Sequence, residues 1–135
     1  MRCVVVVVGL LAACAEPDFE IDYGEIVFDN LGNPRIEGPV TAATGTPFTL
    51  TIYTGGNGCI SVESTDIEPA SDGVVVSVYD RHRLRGACIQ PLLFFPHDAT
   101  ITFAAPGSRW VHVHGRRLDA TQGDVIDVDY RVDVQ

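Results

Sequence analysis

From residue 25 onward, apolar and polar positions alternate along the chain with a period of two, and no stretch carries the 3.6-residue period of an amphipathic helix. Glu25-Ile26-Val27-Phe28 predicts a first strand, ended by the turn residues Asp29-Asn30-Leu31-Gly32-Asn33-Pro34. Phe48, Leu50 and Ile52 alternate with Thr49, Thr51 and Tyr53 after a turn at Gly45-Thr46-Pro47. A glycine turn at Gly55-Gly56-Asn57-Gly58 feeds Cys59-Ile60-Ser61-Val62, and residues 74–79 follow a turn at Asp72-Gly73. Leu92-Leu93-Phe94-Phe95 predicts a strand stopped by Pro96, because proline cannot donate to a ladder. Thr100-Ile101-Thr102-Phe103 predicts another, stopped at Pro106-Gly107. A strand over residues 110–114 follows, and the last is the most regular, with Ile126, Val128, Tyr130, Val132 and Val134 set against Asp127, Asp129, Arg131 and Asp133. About seven to eight short strands separated by turns predict an all-β domain over residues 23–135. The expected fold is an antiparallel immunoglobulin-like β-sandwich, with a small up-and-down or Greek-key barrel as the alternative. The buried Trp–disulfide pin of antibody domains is not recognisable.

The first residues follow a different pattern. Met1-Arg2 is a minimal positive region, and residues 3–10 are an apolar run too short to span a bilayer as a helix. Leu11-Ala12-Ala13-Cys14 is an aliphatic residue and two small ones before a cysteine, similar to the lipobox of bacterial lipoproteins. The resemblance implies a signal peptide of residues 1–13, cleavage before Cys14, and acyl chains on that cysteine. Two or more chains anchor stably where one is marginal. It also implies that Ala15 favours the outer membrane, facing the periplasm, if the cell is Gram-negative. The alternative is an ordinary signal peptide cut near Ala13 or Ala15. Residues 14–22, acidic and without turn or helix logic, are expected to be a tether.

Composition narrows the classes of partner. Cleavage before Cys14 leaves 122 residues with eight arginines, no lysine and eighteen acids, a net charge of −10. Such a chain repels nucleic acid, which is excluded as a partner, and anionic membrane surfaces. No later apolar run is long enough for a transmembrane helix, so the membrane is expected as a partner through Cys14 alone. Cys3 leaves with the signal peptide and Cys14 takes lipid. Cys59 and Cys88 remain as an even pair in an oxidising compartment, read as one disulfide. The alternative, a metal-binding or catalytic pair, lacks CxxC spacing.

Gly56-Asn57-Gly58-Cys59, Val78-Tyr79-Asp80, Cys88, Phe95-Pro96-His97, Ile101-Thr102-Phe103, Pro106-Gly107 and Val111-His112-Val113-His114-Gly115-Arg116 together resemble small, uncharacterised bacterial lipoproteins with a β-sandwich (immunoglobulin-like) domain. The resemblance covers residues 56–117. It implies a fold and no activity.

His112-Val113-His114 is the sharpest chemical pattern. Residues two apart on a strand share a face, so both imidazoles are candidate ligands for one metal ion. A His-Val-His strand on a disulfide-bonded sandwich resembles copper/zinc superoxide dismutases, but no histidine follows His114, and only His82 and His97 precede the pair. Two ligands fall short of a zinc site, so no cofactor is expected and the histidines are assigned to a solvated face. Asp124, Asp127 and Asp129 lack the glycine and closing glutamate of a calcium loop. Arg81, Arg83 and Arg85 form a basic loop that, with Arg116 and Arg117, is a candidate grip for carboxylates or phosphates of a protein or envelope glycan. The alternative is a solvated loop paired with neighbouring acids. No nucleophile elbow, HExxH or phosphate loop exists, so no enzyme is expected. The expected function is a membrane-anchored, non-enzymatic envelope domain with a binding or structural role. The alternatives are an inhibitor or binder of an exported hydrolase, with Ser108-Arg109-Trp110 set beside the Arg-Pro-Trp loop motif of chagasin-type inhibitors, and a metal-binding protein built on His112 and His114.

Overall fold

The computed structural model describes residues 16–117 and 124–135, so Cys14 and the expected signal peptide of residues 1–13 lie outside the described residues. Among the described residues, ten strands follow one another in the order β1 (Phe19–Tyr23), β2 (Glu25–Ile26), β3 (Ile36–Glu37), β4 (Thr41–Ala42), β5 (Phe48–Gly56), β6 (Ile60–Ala70), β7 (Gly73–Arg83), β8 (Leu93–Ile101), β9 (Gly107–Arg117) and β10 (Val125–Val134). No helix occurs among the described residues. All ten strands belong to one hydrogen-bonded sheet, which curls on itself. Strand β2 bonds both β5 and β9, so it carries the sheet from its β5–β8 part to its β6–β7–β9–β10 part.

The curl encloses the core. Leu50 and Ile52 of β5, with Ala99 and Ile101 of β8, pack against Val76 and Val78 of β7, Val111 and Val113 of β9, and Val132 and Val134 of β10. Each pair is two residues apart, so the period-two pattern buries one face of these five strands and turns the other outward. Burying such side chains contributes about 1.5–3 kcal/mol apiece. The turns form where their residues are suited to them. Asp29 accepts backbone N–H bonds from Leu31 and Asn33, and Gly32 and Gly45 adopt positive φ.

The observed strands differ from the expected ones in four respects. The expected arrangement was antiparallel, but β7 pairs β9, β2 pairs β9 and β4 pairs β10 in parallel. Between β7 and β9 the chain crosses to β8 on the far part of the sheet, and this crossover returns it in its starting direction. Gly73 is needed there, because a Cβ at that position would collide with the Trp110 carbonyl of β9. Secondly, β8 is one strand through Pro96, where two were expected; among the described residues β8 pairs only with β5, and an edge strand tolerates a proline. Thirdly, β6 extends to Ala70, although its pattern was legible only to Val62. A bulge between Val62 and Ser64 shifts the alternation there. Lastly, the sheet starts at Phe19 inside the expected tether: β1 pairs β7, and Tyr23 stacks on Tyr79 at 4.9 Å between ring centroids. The acids Glu20 and Asp22 had hidden the alternation of Phe19, Ile21 and Tyr23.

Candidate functional site

Three strands carry a polar residue where the next apolar one is due. Leu50 and Ile52 of β5 are followed in phase by Thr54, Val76 and Val78 of β7 by Asp80, and Ile101 and Ala99 of β8, read backward, by His97. The sheet brings these together at one end of the core, and all three are buried. His97 Nε2 lies 2.9 Å from Asp80 Oδ1 and 3.2 Å from Thr54 Oγ1. Its Nδ1 lies 3.3 Å from the Thr65 hydroxyl of β6. His97, which falls between the two strands expected over residues 92–95 and 100–103, is instead a mid-strand residue enclosed in the protein. Acid, imidazole and hydroxyls form one hydrogen-bonded network enclosed at this end of the core. The network satisfies buried polar groups that would otherwise be costly. A cleft of about 230 Å³ opens beside Asp80, between Glu25, Gly56, Asn57 and His82.

On the outer face, the cross-strand register of β9 and β10 sets His112 opposite Asp129 and His114 opposite Asp127. His112 is bonded at both ring nitrogens, Nδ1 to Asp129 at 2.6 Å and Nε2 to Asp72 at 2.9 Å. The Asp72 hydrogen bond first, and the Asp129 bond after it, raise the His112 pKa above its ordinary value of 6.5. The same contact with His112 holds the Asp72 carboxyl below its ordinary value. His114 Nε2 lies 2.9 Å from Asp127. The two histidines do share the outer face, as expected, but each turns to carboxylates. Among the described residues no three His, Cys, Asp or Glu side chains are grouped to hold a metal ion.

The basic residues are not one loop. Arg81 and Arg83 belong to β7, and only Arg85 lies beyond it. Most of these charges are paired within the molecule: Arg81 pairs Glu63 at 2.6 Å, and Arg85 lies 3.3 Å from Glu16 and 3.6 Å from Asp18. Arg116 grips Asp22 at 2.7 Å across β9 and β1. Arg117 lies over the Phe28 ring. Arg83 differs, donating to the Ala87 carbonyl and toward the Cys59 sulfur, with no carboxylate partner among the described residues. Cys59 and Cys88 are joined, and their bridge pins the 84–92 segment to the start of β6. Beside it lies a cleft of about 360 Å³ between Phe19, Gly58, Ile60, Arg81 and Arg83.

No protein-family model matches the chain, and neither the curated proteins nor the solved structures contain a match. The functional reading therefore rests on residues and geometry. Ser108-Arg109-Trp110, the segment set beside inhibitor loops, starts β9: Ser108 bonds Asp133 and Arg109 bonds the Pro106 carbonyl, so both serve their own strand connections. Sequence reading missed the His97 network. The signal was present in the shared phase of Thr54, Asp80 and His97, but it needed the pairing of three strands to be recognised.

Proposed function

We propose that this chain is a membrane-anchored bacterial lipoprotein whose domain does non-enzymatic binding or structural work in the cell envelope, at the outer membrane facing the periplasm if the cell is Gram-negative. The observation that carries the proposal is Leu11-Ala12-Ala13-Cys14, followed by the first strand at Phe19. A cysteine so placed takes up lipid, and a short connection then holds the folded domain close to the bilayer. We read the curled sheet as an immunoglobulin-like β-sandwich, a reading supported by the shared core of the β5–β8 and β7–β9–β10 parts. The non-enzymatic reading is supported by the enclosure of His97 and by the engagement of both His112 nitrogens with carboxylates. Metabolic labelling with a fatty acid tests the anchor: wild-type protein should carry label and Cys14→Ser should carry none. Natively expressed mature protein with an unmodified Cys14 thiol would overturn the proposal.

A further inference from the structure

We infer that the disulfide-bearing end of the sheet lies against the zwitterionic phospholipid surface in which Cys14 is anchored, so that the domain meets the membrane through its own side chains. The inference rests on the proposed acylation of Cys14. The start of β1, the end of β7, the start of β6, the end of β5 and the start of β8 meet at this end, as Phe19↔Arg83, Ile60↔His82 and Gly56↔Leu93 show. The 84–92 segment crosses it, held by the Cys59–Cys88 bridge, by Leu84 N–H to the Asp18 carbonyl, and by Gly58 N–H to the Ile89 carbonyl.

Large apolar side chains project here. Ile89 is 62% exposed and Leu92 54%, with Leu84, Phe94 and Phe19 also exposed. Single exposed apolar residues are ordinary, but several on one end of a small domain mark a contact surface. The length of chain before the fold says which surface. Asp18 is four residues from Cys14, and even fully extended those residues span at most about 14 Å. Acyl chains on Cys14 would therefore keep this end beside the headgroups. Tethering makes the second contact intramolecular, so an apolar face too weak to hold a free domain is sufficient.

The charges complement a zwitterionic surface. A chain this acidic is repelled by anionic lipid. At the disulfide end, however, Arg81 and Arg85 are balanced by Glu63, Glu16 and Asp18, while Arg83, bonded to the Ala87 carbonyl and without a carboxylate partner among the described residues, can donate to a phosphate. Glu16 and Asp18 can in turn face the headgroup ammonium.

Full-length protein, expressed natively, is purified with its acyl chains and reconstituted into vesicles of phosphatidylethanolamine and bromine-labelled phosphatidylcholine. The chain has one tryptophan, so Trp110→Phe provides a silent background for Leu92→Trp, or for Val40→Trp near the opposite end. Bromine should quench the indole at position 92 at least about two-fold and leave position 40 nearly unchanged, as interfacial insertion requires. Equal quenching at both positions, or at neither, in protein whose mass includes acyl chains would overturn the docking and leave the anchor standing. A mass without acyl chains would overturn both. Shielding of position 92 that depends on protein density and not on bromine would assign the face to a second copy of the chain and overturn the lipid contact.

Discussion

His97 shows how strongly one residue depends on its surroundings. Its ring fills the polar end of the core and satisfies Asp80, Thr54 and Thr65 at once. In His97→Leu, Asp80 stays buried without its partner, and the expected loss is about 3–5 kcal/mol in urea unfolding. Replacing both partners, His97→Leu with Asp80→Leu, should recover a substantial part of that loss; strict additivity of the two single losses would contradict the coupling. His112 makes the opposite kind of contact, an exposed one governed by pH. Its pKa is raised by Asp72 and then Asp129, so its contribution to stability is complete below about 6.5 and is lost as pH rises through the higher folded-state value. Asp72, held low by His112, contributes above its ordinary 3.8 and loses that contribution as pH falls through its lower folded-state value. An imidazole titration followed by NMR should place His112 above 6.5, and His112→Gln should flatten the fall in melting temperature on the alkaline side. A titration at or below 6.5 would refute the doubly bonded imidazole.

At the scale of elements, the bridge between β6 and the 84–92 segment joins cysteines 29 apart in sequence. Closing a loop of that length restricts the unfolded chain by roughly 3–4 kcal/mol in the chain-entropy account. Reduction should lower the melting temperature by about 10 °C or more for a domain of this size. Alkylation should then find Cys59 and Cys88 reactive only after reduction. Two thiols alkylated in untreated exported protein would contradict the bridge. The individual strands were largely readable from local alternation, as in β5 and β10. Strand β6 and the continuity of β8 were not, because a bulge changes phase at Val62 and a proline on an edge breaks no ladder.

For the whole molecule, the sheet is assembled from partners far apart in sequence. Strand β1 pairs β7, β2 pairs β9, and Thr41 of β4 faces Asp133 of β10. Loop closure must precede the contacts that reward it, so folding should be slow for the chain's size. Stopped-flow refolding of the disulfide-intact protein should show relaxation in about milliseconds to seconds, as all-β topologies do. Complete refolding in microseconds would conflict with the observed pairings.

Local chemistry alone determined much of this protein: the all-β character, the inward residues of β5, β9 and β10, the turns at Asp29 and Gly45, and the pairing of Cys59 with Cys88. These follow from the two-residue period of a strand, from turn residues, and from the even pair of cysteines that lies within the strand-forming part of the chain. Only the tertiary structure decided which strands lie parallel, that residues 19–22 belong to the sheet, and that Arg81, Arg85 and Arg116 find their acids within the molecule. It also decided that His97 meets Asp80 inside the core. The reason is physical: alternation specifies which face a side chain occupies, whereas its neighbour depends on strand order and register, set by contacts across the whole chain.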